Sequence, residues 1–278
     1  MLLNSFNEMN LNKKYNIKEP QRNISYLPSI FRCLIVGSSG CGKTNLVLNL
    51  LFKIIENSKK PISIIICTKT IEQPLYKSFI KDMVTNYKNK VRINVFKEIK
   101  NFDDEFYKKL DKRFQNIVLI DDMLGVTDQE DKKSLIHLFS ASRPRELSIF
   151  FLSQRYTRVE ITCRNNLNYL IIFKPSYEEA NTICNELLGT MVTTKEFLNK
   201  FESNSYFSLF CDLEKMKIKN VYEIFKISNH VFYKNVNDII KHLKLLVGEL
   251  YSGNDSKEII NDISEILIEL DNIGIIEL

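Results

Sequence analysis

Apolar residues fall in two rhythms along the 278 residues of this chain. Short apolar-rich runs at 31–36, 62–67, 91–96, 117–120, 147–152 and 169–173 predict six strands. Each run is too short for a helix and is bounded by turn or charged residues. Between them the spacing changes to that of an amphipathic helix. Leu46, Val47, Leu50, Leu51 and Ile54 share one face of a predicted helix over 44–55. Similar patterns predict helices at 73–87, 103–113, 128–140 and 178–188. Strands that are apolar on both faces and alternate with helices describe a parallel sheet covered on both sides. The fold class expected is therefore α/β. Two further runs, 206–212 and 221–227, read as edge strands.

The ends of the chain differ from this core. Residues 1–30 are polar, Asn/Lys-rich and contain Pro20 and Pro28, and read as an arm. Residues 235–278 carry Ile239, Leu243 and Leu246, then Ile259, Ile263, Ile266, Leu267 and Leu270, at helical spacing, with Gly253-Asn254-Asp255 between the two sets. The expected organisation is an arm over 1–30, a main domain over 31–230 and a helical extension over 231–278.

Composition narrows this little. A net charge of +5 permits an anionic partner without requiring one. The six cysteines form no C-x-x-C pair and sit mostly in apolar runs, so they read as reduced, buried thiols. The three histidines lack metal-ligand spacing. No apolar run reaches the ~18–20 residues that span a bilayer, and no apolar signal core opens the chain. The expectation is a soluble intracellular protein with no membrane partner.

The chemistry begins where the first strand ends. Gly37-Ser38-Ser39-Gly40-Cys41-Gly42-Lys43-Thr44 fits G-x-x-x-x-G-K-[ST], between an apolar strand and an amphipathic helix. The glycines let successive backbone N–H groups curl toward one anion. The helix beginning near Lys43 adds the positive end of its dipole. Lys43 is placed for the β- and γ-phosphates of ATP, and the Thr44 hydroxyl for Mg²⁺. The run 117–122 then delivers Asp121-Asp122 from the end of a buried strand. Asp121 is placed to hold Mg²⁺ through its water shell, and Asp122 to act as general base toward the attacking water. Ser153-Gln154 ends the strand over 147–152. In P-loop ATPases with an additional strand between the P-loop strand and the acidic strand, a Gln there can touch both the γ-phosphate and the water. The bland alternative is an ordinary polar strand end.

Taken together, GSSGCGKT at 37–44, IVLIDDM at 117–123, SRPRELSIFFLSQRY at 142–156 and CRNNLNYLIIFKP at 163–175 resemble the FtsK/HerA superfamily of DNA-pumping ATPases. The likeness is greatest to the genome-packaging ATPases of large double-stranded DNA viruses, the poxvirus-type packaging ATPases. The segment from Arg143 to Gln154 discriminates, since generic P-loop kinases and GTPases lack it. Asn89-Lys90 continues as Val91-Arg92, so no guanine-specificity motif is present. The resemblance implies a P-loop NTPase of the additional-strand type. Lys43 and Thr44 match its phosphate and Mg²⁺ ligands, Asp121 its Mg²⁺-associated acid and Gln154 its sensor. Cellular pumps usually carry Glu where this chain has Asp122; Asp-Asp is similar to the viral branch. Arg143 and Arg164 match basic slots, either of which could reach a neighbouring subunit's ATP as an arginine finger.

The resemblance further implies a homo-oligomeric ring, a hexamer, acting on double-stranded DNA through sequence-independent phosphate contacts, with Lys69 one candidate. It implies genome packaging with a capsid or portal protein as partner. Location would be the host cytoplasm or viral factory, with association to the virion. Two alternatives stay open: a cellular or plasmid DNA translocase, and a nucleotide-dependent assembly switch that does not pump.

Overall fold

A computed structural model describes residues 27–28, 30–121, 123, 129–189, 191–201 and 207–225. All of them belong to one compact unit, Glu19–Asn229. The predicted C-terminal helices, and the arm apart from residues 27, 28 and 30, lie outside the described residues.

The six predicted strands form: β1 (Arg32–Val36), β2 (Ile62–Thr68), β3 (Val91–Phe96), β4 (Gln115–Asp121), β5 (Leu147–Ser153) and β6 (Tyr169–Phe173). They are joined by β7 (Ser208–Asp212) and β8 (Lys217–Asn220) in one eight-stranded sheet of order β3-β2-β4-β5-β1-β6-β7-β8. The first six pair in parallel, and β7 and β8 close the sheet as an antiparallel hairpin. β1, β2 and β5 are buried along their whole length, as unbroken apolar runs require when both faces are covered. β3 is the edge strand and is correspondingly half exposed.

The helices are α1 (Lys43–Asn57), α2 (Pro74–Asn86), α3 (Asp104–Lys108), α4 (Gln129–Ala141), α5 (Ile161–Asn165), α6 (Tyr177–Ile183), α7 (Thr194–Asn199) and α8 (Val221–Phe225). Pro74 begins α2, where the missing N–H costs nothing. Ser176 caps α6, and Thr193 with Glu196 forms a capping box at α7.

Three expectations change. The charged helix expected over 103–113 is only α3, capped by Asp103. The helix expected over 178–188 begins as α6 and widens to a π-turn at Cys184–Leu188. The edge strand expected at 221–227 is instead Lys217–Asn220, and Val221–Phe225 is helical. The Asp212 carboxylate accepts from the backbone N–H groups of Glu214 and Lys215, which turns the chain early and starts the return strand at once. All six cysteines are free and buried, as read from the sequence.

Candidate functional site

In an open parallel sheet, ligands gather at the carboxyl ends of the strands. Four of those ends meet here. β5 lies between β1 and β4, with Val36 opposite Ser153 and Ile120 opposite Phe151. Gly37, Asp121 and Gln154 therefore emerge side by side. β2 lies on the other flank of β4, with Thr68 opposite Asp121. That register brings the 69–73 connection to the same place.

The 37–44 loop is shaped by its glycines for two different reasons. Gly40 (φ 76°) and Gly42 (φ 97°) occupy the left-handed region. Gly37 is needed for space: a Cβ there would lie 2.6 Å from Cys41 Sγ and 2.8 Å from the Phe173 Cβ. Gly42 then caps α1, so the helix opens at Lys43 with its dipole facing the loop. The buried Lys43 ammonium donates to the carbonyls of Gly37 (2.8 Å) and Ser38 (2.9 Å). An incoming phosphate has only to replace carbonyl oxygens as its acceptors.

Asp121 is 5% exposed. Its Oδ2 accepts from the Thr44 hydroxyl at 2.8 Å and from the Tyr76 hydroxyl at 2.6 Å. A cleft of about 140 Å³ is lined by Ser39, Lys43, Thr44, Asp121 and Gln154, with Thr70 and Gln73 on its far wall. The cleft thus joins Lys43, Thr44, Asp121 and Gln154, residues far apart in the chain. Asp122 lies outside the described residues.

Thr44 and Asp121 offer oxygen donors only, and Thr44 already gives its proton to the carboxylate, which leaves its lone pairs for a cation. Among the described residues no group of three or more His, Cys, Asp or Glu side chains gathers. That set fits Mg²⁺, which is commonly held by one or two protein oxygens plus phosphates and water.

The two candidate arginines part company. Arg164 is turned inward: its Nη1 meets Glu186 at 2.5 Å and its guanidinium lies 4.8 Å from the centre of the Tyr156 ring. Tyr156 donates to the same Glu186 oxygen at 2.7 Å. Burial first, and then the neighbouring Glu186, push the Tyr156 phenol well above its usual range. Arg164 is therefore committed to contacts within its own chain. Arg143 is exposed, in the turn before β5, with its Nη2 3.6 Å from Glu214 Oε1. The length of β5, about 20 Å, separates Arg143 from Gln154 and so from the cleft of its own chain. Lys69 is exposed in the connection that borders the cleft.

Tyr76, Thr70 and Gln73 escaped the sequence reading. The available signal was positional: polar residues directly after a buried strand fall at the ligand edge whenever that strand neighbours the acidic one.

The chain matches the Poxvirus A32 protein family over residues 20–244. It belongs to that family. The resemblance to poxvirus-type packaging ATPases is thereby borne out, and the chain is a P-loop ATPase. Among curated proteins nothing matches it. Among solved structures it is similar to the genome packaging NTPase B204 of Sulfolobus turreted icosahedral virus 2 in complex with ATP-gammaS. That likeness has a TM-score of 0.50 at 16% identity and covers 70% of this chain and 98% of that one. B204, the DNA-packaging ATPase of Sulfolobus turreted icosahedral virus, gives a TM-score of 0.49 at 17% identity, covering 69% and 97%. EssC (ATPases 2 and 3) of Geobacillus thermodenitrificans gives 0.45 at 12%, covering 87% of this chain and 44% of that one. At 16% identity the B204–ATP-gammaS likeness speaks for the fold alone. The eight-stranded, mostly parallel sheet is that of a P-loop ATPase of the additional-strand type, since β5 stands between β1 and β4.

Proposed function

We propose that this A32-family chain is a motor that moves double-stranded DNA into a preformed viral capsid, driven by ATP hydrolysis in the Lys43–Asp121 cleft. Lys43 and the N–H groups of the loop (Ser38, Ser39, Gly40, Cys41, Gly42) hold the phosphates, and Gly37, whose own N–H donates to the Ser153 carbonyl, opens that loop. Thr44 and Asp121 would hold Mg²⁺, which would supply charge neutralisation for the nucleotide's phosphates. Asp122 takes the proton of the attacking water, and Gln154 contacts both that water and the γ-phosphate.

The observation that carries this reading is the placement of β5. It sets Gln154 between the phosphate loop and Asp121 at one end, and holds Arg143 exposed at the other. Arg143 is too remote to serve its own cleft, so it is assigned to that of the next subunit. A homo-oligomeric ring, a hexamer, supplies such neighbours, and Arg143 acts there as the arginine finger. DNA would be gripped through its phosphates, independent of sequence, and a capsid or portal protein would dock the ring. The site of action would be the host cytoplasm or viral factory, and then the virion.

The test is displacement of a triplex-forming strand from long duplex DNA. The wild-type protein should strip the third strand only with hydrolysable ATP, and Lys43→Ala should not. ATP hydrolysis without displacement or DNA stimulation would favour the assembly switch.

A further inference from the structure

Tyr76, which belongs to neither sequence motif, donates a hydrogen bond to Asp121. It lies in the first turn of α2, just after Pro74, and is fully buried. A buried phenol needs an acceptor, and this one finds Asp121 Oδ2 at 2.6 Å, within the short range of hydroxyl–carboxylate bonds. Thr44 donates to the same oxygen at 2.8 Å. One carboxylate oxygen offers two lone pairs, so two donors on Oδ2 fix both its position and the plane of the group. The Thr44 hydroxyl, its proton committed, then presents only lone pairs to a cation.

We propose that Tyr76 is a positioning residue for the metal half of the nucleotide site: its hydroxyl locks the Asp121 carboxylate so that Thr44 and Asp121 receive Mg²⁺ without reorganising. This rests on the reading of the cleft as a Mg²⁺–ATP site. The lock is delivered by the β2–α2 connection. Thr68 and Thr70 are joined hydroxyl to hydroxyl at 3.1 Å, and Thr70 and Gln73 line the cleft. Thus Tyr76 also ties the metal half of the cleft to α2.

The test is direct binding of ATPγS to the full chain, titrated with Mg²⁺ and repeated in EDTA. For Tyr76→Phe, the Mg²⁺ concentration giving half-maximal tightening should rise about tenfold, the usual scale for a lost hydrogen bond to a charged group. Affinity in EDTA should stay as in wild type. Unchanged Mg²⁺ dependence in Tyr76→Phe overturns the proposal, as does an equal loss of affinity with and without Mg²⁺. If Tyr76→Phe does not fold, 3-fluoro- and 2,3,5-trifluorotyrosine carry the test, since they strengthen the donor in steps at nearly constant shape. No movement of the Mg²⁺ dependence across that series overturns the proposal equally. A wild-type protein that does not bind ATPγS in Mg²⁺ removes the underlying site, and is distinct from a wild type that binds while Tyr76→Phe matches it.

Discussion

At the carboxyl ends of β1, β4 and β5, Lys43 and Asp121 are buried and face one cleft; at the amino end of β1, a run of polar contacts leads from buried Arg32 out to the surface. Lys43, Asp121 and Tyr76 are each less than a tenth exposed, and hydrogen bonds to other groups of the chain hold them in place. At the other end, Arg32 donates to Asn168, Asn168 donates to Glu214, and Glu214 meets Arg143 at 3.6 Å. Burial, and then the charge of Arg143, depress the Arg32 pKa. That chain of contacts ends on a half-exposed acid and a largely exposed guanidinium. An exposed pair of this length contributes ~0–1 kcal/mol, so Arg143 can leave Glu214 at little cost. The contrast teaches that one end is organised to receive a ligand and the other to offer a charge.

The most severe way to break that contrast is at Arg143. Arg143→Ala should lower ATP turnover by about 10³-fold or more, while ATPγS affinity stays within a few-fold. Mixing it with Lys43→Ala should recover activity, because the junction of the two variants pairs an intact loop with an intact arginine. Turnover measured across mixing ratios checks this; failure of all mixtures would place Arg143 outside the chemistry.

Gly37→Ala attacks the receiving end. Its Cβ would crowd Cys41 and the main stem of Phe173, so a loss of about 1–3 kcal/mol in stability is expected from denaturant melts, together with weakened nucleotide binding.

Arg164→Ala sharpens the comparison from the other side. Its carboxylate partner is about a third exposed, so the expected loss is nearer 2 kcal/mol than the ~3–5 of a fully buried pair. Turnover per folded molecule should hold, whereas a finger would lose it.

The last effect vanishes at neutral pH and concerns two buried thiols of the core. Burial pushes the thiols of Cys67 and Cys163 up to about 12. With folded values raised above the ordinary 9.0, the unfolded chain ionises first. Stability is full below pH 9 and falls as the pH rises toward 12. Urea unfolding between pH 8 and 10.5 should show that decline, with a shallower slope in a Cys67→Ala/Cys163→Ala variant.

Much of the receiving end was legible in the chain. Short apolar-rich runs located six strands; burial on both faces leaves little room for alternation in β1, β2 and β5, whereas the edge strand β3 alternates. The loop at 37–44 and Asp121 were readable because phosphate chemistry demands those residue types at that spacing. Tyr76 was not, because its role comes from the β2–β4 register rather than from local spacing. The hairpin strand Lys217–Asn220 was hidden by its lysines, and the apolar residues just after it mimicked a strand while forming α8. The partner of Arg164 was hidden for the same kind of reason: Glu186 comes from the π-turn after α6, which no periodicity announces.

The most direct measurement is steady-state ATP hydrolysis by the wild-type chain and Lys43→Ala, each with and without long duplex DNA. Hydrolysis in the wild type that rises with duplex DNA, and none above background in Lys43→Ala under either condition, is the expected result. Equal hydrolysis in the two proteins, or none in the wild type with DNA and Mg²⁺ present, would contradict the account.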